Sequence, residues 1–361
     1  CLIEGLFKIS DNGELQNAMV EDWTVSPDGL TYNFVLRDAK WSNGDPVTSD
    51  DFYFNWVERV LNPKFGAEYA YMLFYIEGAK EYYDDPKFDA SKVGVKALTP
   101  KILWVRLKSP APFFTQMLAH HIYFPVNRRQ VGTLPEKWSL TAESYVGNGA
   151  FTLAEYRPGF SIKMRKNPDY WNFNPGTLEE IEFRMIQNSS TALIAYENGE
   201  LDMNQDVPRE QLDRLKTLPD LKTSSAIATY YLEFNCQKPP LNNPDVRRAL
   251  AMAINRTDIV KGVTRAGEKI AFTLCPPKLY KPSPDNSFLM PYPDANFDSA
   301  RQLLSQAGYA GGKGFPELTY LYNTDEGHRK IAQVVQEVWS RELGIEVRIE
   351  NQEFKVVLDN K

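Results

Sequence analysis

Residues 19–52 read MVEDWTVSPDGLTYNFVLRDAKWSNGDPVTSDDF, and three local structures follow from them in order. Ser26-Pro27-Asp28-Gly29 has the composition of a tight turn, in which proline presets one φ and glycine admits a left-handed one. After it Tyr32, Phe34 and Leu36 alternate with polar or exposed positions, the period of a half-buried strand over Thr31–Arg37. Thr48 or Ser49 then offers a cap to a helix whose first turn carries Asp50 and Asp51, where carboxylates meet the positive end of the helix dipole. Phe52, Trp56 and Val60 fall on one stripe of that helix before Asn62-Pro63 ends it. The block is structural grammar, and it carries no catalytic spacing.

Working outward, 361 residues suffice for two or three domains. No stretch is long and apolar enough to read as a membrane span. The 41 basic and 47 acidic residues are interspersed, so a net charge of -6 comes with no basic stripe for nucleic acid. Cysteines stand at positions 1, 236 and 275, which argues against a disulfide-built scaffold and leaves a Cys236–Cys275 bridge and two isolated thiols both open.

Val93–Leu98 and Ile102–Leu107, joined by Thr99-Pro100-Lys101, read as a hairpin. A boundary falls near Ala228, where Thr229–Asn235 begins an extended run with Tyr231, Glu233 and Asn235 on one face and Tyr230, Leu232 and Phe234 on the other. Pro244 suits a first helical turn, and Val246, Leu250 and Ile254 recur at helical spacing. A helix is expected over Asp298–Gly308, then a strand Leu318–Tyr322, a helix Asp325–Leu343 closed by Gly344, and a strand Ile345–Ile349. That βαβ order predicts parallel strands with a right-handed crossover, and an α/β fold class.

The junction Tyr322-Asn323-Thr324-Asp325-Glu326-Gly327-His328 is the best local site on physical grounds. Ligands of open α/β sheets gather at the carboxyl ends of strands, and a helix N-terminus offers N–H groups and a positive dipole to an anion such as a peptide carboxylate. His328, one turn into the helix, adds a cation or a donor. Enzymatic constellations are missing: no Gly-x-Ser-x-Gly elbow, phosphate loop or zinc helix occurs, and His120-His121 have no ligand-spaced partner. Asp50-Asp51 and Glu179-Glu180 read as solvated helix starts. The expectation is a binding protein, not an enzyme, with no cofactor and no metal.

Trp23, the Pro-Asp-Gly turn, the strand that follows and Trp41-Ser42-Asn43-Gly44-Asp45-Pro46-Val47-Thr48 together resemble the signature of extracellular solute-binding proteins of family 5, which carry oligopeptides and dipeptides to ABC importers. Asn148-Gly149-Ala150-Phe151, Ile162–Trp171, Glu197–Asp202 and the closing Leu343–Lys355 extend the resemblance along the chain. It implies a two-lobed periplasmic-binding-protein-like fold of type II. On that reading residues 1–135 hold an extra subdomain and the start of lobe I, 136–228 the lobe I sheet domain, and 229–361 an incomplete lobe II. Cys1 becomes an interior position of a chain truncated at both ends. The resemblance implies a monomer, periplasmic or extracellular, in a free or a lipid-anchored form, that closes on an extended oligopeptide and meets ABC permease subunits. It implies ligand-binding roles for Tyr69, Tyr231, Glu233 and His328, to which the strand-to-helix junction adds Asn323. A dipeptide, a murein peptide, a nickel chelate or a peptide-sensing role remains the alternative.

Overall fold

Tyr32, Phe34 and Leu36 turn inward from a strand, as their alternation predicts, while Val35 between them is exposed. The structure is a computed structural model that describes all residues except 66, 86, 135–136, 175–177, 225, 272, 277–293 and 360–361. The expected boundary at 135/136 lies outside the described residues. Two units form, Cys1–Ile186 and Gln187–Lys361.

In the first unit the strands are β1 (Phe7–Ile9), β2 (Leu15–Asn17), β3 (Val20–Val25), β4 (Thr31–Leu36), β5 (Val95–Thr99), β6 (Ile102–Arg106), β7 (Phe151–Arg157), β8 (Ser161–Lys166) and β9 (Glu180–Arg184). β1 and β2 pair with each other, β3-β4-β6-β5 make an antiparallel sheet, and β7-β8-β9 make another. β5 and β6 are the expected hairpin, with Val95 opposite Val105. Glycine at 29 adopts φ 70° and closes the turn before β4. The core of this unit gathers Phe7, Phe34, Trp41, Phe52, Trp56 and Tyr123, with Phe52 and Trp56 edge to face at 6.2 Å.

The helix after the signature block begins at Ser49 and widens to a π-helical turn over Phe54–Val60, keeping Phe52, Trp56 and Val60 buried. One expectation here fails. Asp51 is not a solvated helix start but 6% exposed, because its carboxylate is needed inside. Its Oδ2 accepts from Trp41 Nε1 at 3.2 Å and from the Thr48 N–H at 2.9 Å, and its Oδ1 accepts from the Arg128 N–H at 3.0 Å. Burial pushes the Asp51 carboxyl above the usual range, and these donors oppose that push. Asp50 stays at the surface, paired with Arg128 at 3.2 Å.

The recurrent segments 148–151 and 167–171 clasp the first residues of the chain. Asn148 accepts from the Glu4 N–H at 2.8 Å and donates back to the Glu4 carbonyl at 3.1 Å. Glu4's carboxylate accepts from the Tyr170 hydroxyl at 2.8 Å and from Trp171 Nε1 at 2.5 Å. Gly149 lies so close to this first segment that an added Cβ would sit 2.2 Å from the Cys1 carbonyl oxygen. Arg37, the last residue of the signature strand's reading, covers Trp171 at 3.6 Å.

The second unit holds β10 (Leu318–Asn323) and β11 (Val347–Gln352), which pair in parallel with Leu318 opposite Val347, as the βαβ order predicts. Between them runs a helix, Glu326–Leu343, capped by Asp325 and ended by Gly344 at φ 68°. The Gly344 N–H returns to the Ser340 carbonyl at 3.1 Å and the Ile345 N–H to the Trp339 carbonyl at 3.2 Å, closing the end of the helix. That bond holds Ile345 in the cap, so β11 starts two residues later than its apolar pattern suggests. Helices Pro244–Met252 and Phe297–Gln306 pack with it around Leu250, Leu304, Val335 and Trp339. Trp339 Nε1 donates to the buried Leu250 carbonyl at 2.9 Å.

Residues 229–235 are a correction. They are extended but join no sheet among the described residues, because alternation sets which side chains face inward and not which backbone will pair. The inward set holds for Leu232 and Phe234, which pack on the second core, Phe234 stacking on Trp339 at 6.4 Å. Cys1, Cys236 and Cys275 carry free thiols. Among the described residues no helix is long and apolar enough to cross a membrane.

Candidate functional site

The carboxyl end of β10 and the start of the helix Glu326–Leu343 are joined by two residues, Thr324 and Asp325, and the tightness of that turn decides the local geometry. Thr324 is tied to the end of β11 by its N–H to the Gln352 carbonyl at 3.0 Å. Asp325 caps the helix by accepting from the His328 N–H at 2.9 Å. The chain therefore reverses within one turn and sets His328 back over the strand it has just left. Its Nδ1 lies 2.9 Å from Asn323 Oδ1. Sequence reasoning placed both residues at the site, and the structure brings them together.

Asp325 changes what that site can offer. One of the first-turn N–H groups open to an anion in the sequence reading is already satisfied by its carboxylate, which also lies 4.0 Å from His328 Nε2. An anionic guest there meets the imidazole more readily than the helix N-terminus itself.

Tyr231 and Glu233 lie on the exposed side of the extended run, Tyr231 at 52% exposure. It is their neighbour Tyr230 that reaches the pair: its ring lies 5.4 Å from the His328 ring, tilted by 51°. Tyr320 on β10 neighbours the Tyr230 hydroxyl, and burial first, with Tyr230 second, pushes the Tyr320 hydroxyl far above the ordinary phenol range. Sequence reasoning missed Tyr230 and Tyr320. The alternation of residues 229–235 put Tyr230 on the face of Leu232 and Phe234, but its side chain is 52% exposed, like that of Tyr231, and the alternation gives no sign of His328.

Tyr69 belongs to the first unit. It is half-buried at the start of a short 3-10 helix, Ala70–Tyr75, with its ring 5.2 Å from His120 and 5.6 Å from His121. The two imidazoles stack at 4.1 Å, and burial, with the neighbouring His121 second, lowers the His120 pKa. His120 Nδ1 accepts from the Ile122 N–H at 3.3 Å, so one ring nitrogen is spent on the backbone. Among the described residues no group of three or more His, Cys, Asp or Glu could hold a metal ion.

A groove of about 640 Å³ runs beside the strand end, lined by Tyr322, Arg329, Gln333, Gln336 and Arg348. Arg348 there is held by Glu317 at 3.5 Å and Glu350 at 2.8 Å. Its cation is engaged within the protein, which makes the groove a poorer anion site than the Asn323–His328 pair.

Comparison with known proteins agrees with the architecture of both units. The chain is 36% identical over 367 residues to the oligopeptide-binding protein OppA of Bacillus subtilis, the match covering 99% of this chain and 66% of that protein's length. Among solved structures, the Escherichia coli murein tripeptide binding protein MppA matches with a TM-score of 0.90 and 32% identity, over 99% of this chain and 70% of that one. Haemophilus influenzae OppA, solved in complex with the peptide RPPGFSPFR, matches with a TM-score of 0.87 and 32% identity, over 99% and 71%. The chain thus spans about two thirds of the length of such relatives. The model of bacterial extracellular solute-binding proteins, family 5 Middle, matches residues 14–361, and this chain belongs to that family.

Proposed function

We propose that the full-length protein captures oligopeptides outside the cytoplasmic membrane and hands them to an ABC permease, binding and releasing without chemical turnover and acting as a monomer. The observation that carries this reading is the Asn323–His328 pair at the carboxyl end of β10, a small polar site suited to one end of a peptide. Family membership supports it, as do relatives named for oligopeptide binding, one of them solved with a nonapeptide. Tyr69, Tyr231 and Glu233 are proposed as further ligand contacts. An amphipathic phenol can stack on a peptide and hydrogen-bond it at once.

Calorimetry of the full-length protein with mixed tri- to pentapeptides tests the proposal. Heat of binding, weakened in His328→Ala, is expected; no heat and no thermal shift with any peptide overturns it. A murein tripeptide is the second cargo, favoured by the likeness to the Escherichia coli murein tripeptide binder. It replaces the first if that ligand alone gives heat.

A further inference from the structure

Four side chains form a continuous chain in the second unit. Tyr320, on β10, neighbours the Tyr230 hydroxyl; Tyr230 lies against the His328 ring at 5.4 Å; and His328 Nδ1 meets Asn323 Oδ1 at 2.9 Å, while the Asp325 carboxylate stands 4.0 Å from Nε2. The two ends of the chain, Tyr320 and Asn323, sit on the same strand, so the imidazole is held between two points of one rigid element. An amide oxygen can only accept, so the nitrogen facing it must carry a proton. In water the neutral imidazole prefers the opposite form, with the proton on Nε2.

We propose that Asn323 sets the tautomer of His328 and that Tyr230, backed by Tyr320, fixes its ring plane, so that the single nitrogen presented to ligand is Nε2. Asn323, Tyr230 and Tyr320 are positioning residues in this arrangement. Nδ1–H stays on Asn323 whether the ring is neutral or charged. The neutral ring accepts an N–H of the guest at Nε2, and the charged ring donates to a carboxylate there. That guest rests on the peptide-binding reading above; the tautomer does not.

The histidines of this chain are His120, His121 and His328. Full-length protein labelled with nitrogen-15 histidine is recorded by long-range proton–nitrogen correlation well above the ordinary imidazole pKa of about 6.5. His328→Gln identifies the signals. The wild type is expected to show His328 protonated at Nδ1, and Asn323→Ala to return it to the Nε2–H form of free imidazole. Tyr230→Leu is expected to remove the ring-current shift of the His328 carbon-bound protons and to weaken peptide affinity about threefold to tenfold, as loss of one aromatic contact implies. Tyr320→Phe keeps the ring stack and deletes only its hydroxyl, so it should move the same shifts less. A wild-type Nε2–H form, or an Asn323→Ala spectrum identical to wild type, overturns the tautomer assignment. Peptide binding that Tyr230→Leu leaves unchanged, with unchanged His328 shifts, overturns the role of Tyr230 while leaving the peptide reading intact. No peptide heat, with the spectra as expected, sinks the peptide reading and leaves the positioning in place.

Discussion

Trp41 and Asp51 face each other inside the first unit, the indole N–H donating to the carboxylate at 3.2 Å with both side chains buried. The same oxygen takes the Thr48 N–H, and its partner oxygen takes the Arg128 N–H. One carboxylate thus joins the loop before the helix, the helix start and a backbone segment 77 residues away.

Asp51→Asn replaces one accepting oxygen by an NH2 group that can only donate. Whichever way the amide is turned, a buried N–H is left facing a donor. A loss of about 1–3 kcal/mol is expected. Urea unfolding followed by circular dichroism checks it, and a midpoint equal to wild type would show that the donors find other partners.

Gly149→Ala places a methyl group 2.2 Å from the Cys1 carbonyl oxygen, a backbone atom that cannot swing aside. The clasp around Glu4 has to open. About 1–3 kcal/mol of destabilisation is expected, together with faster hydrogen exchange at Glu4, whose N–H bonds Asn148. Unchanged exchange there refutes the expectation.

Trp339→Phe keeps a large ring against Phe234 and Leu250 but deletes the donor to the Leu250 carbonyl. The orphaned carbonyl and the smaller ring together should cost about 1–3 kcal/mol. Chemical denaturation read at the second unit's own transition measures this, since two units need not unfold as one.

His120 has its pKa lowered in the fold, first by burial and then by His121. The sign follows from linkage. The unfolded chain takes up the proton more readily, so the contribution of this residue is fully present above its unfolded pKa of about 6.5 and is lost as pH falls below that value. His120→Gln should therefore lose less stability than wild type between neutral and mildly acidic pH. Parallel denaturation series at the two conditions decide it, and equal losses would exclude a role for this ring.

The elements that sequence reasoning found are those fixed by neighbours along the chain. Phe52, Trp56 and Val60 share a helix stripe because of the helical period, and Gly344 ends a helix because its φ of 68° suits glycine. Asn323 and His328 were legible as a pair for the same reason: five residues span one strand end and one helical turn. Tyr230 was not legible, since its partners Tyr320 and His328 lie about ninety residues on and only folding brings them to it. Asp51 was misread because a carboxylate at a helix start is normally wet, and nothing local announces Arg128 as a distant donor.

By itself, then, the sequence determined the alternation of β4, the capped helix after it and the parallel βαβ order of the second unit, and its signature block pointed to the family. Each of these depends on periods, turns and caps that are local in the chain. Only the tertiary structure decided that Asp51 is a buried junction, that the segments near Asn148 and Trp171 clasp Glu4, and that Tyr230 rather than Tyr231 meets His328. Those relations join residues far apart in the chain, where burial and hydrogen-bond satisfaction choose the partners and sequence spacing carries no record of the choice.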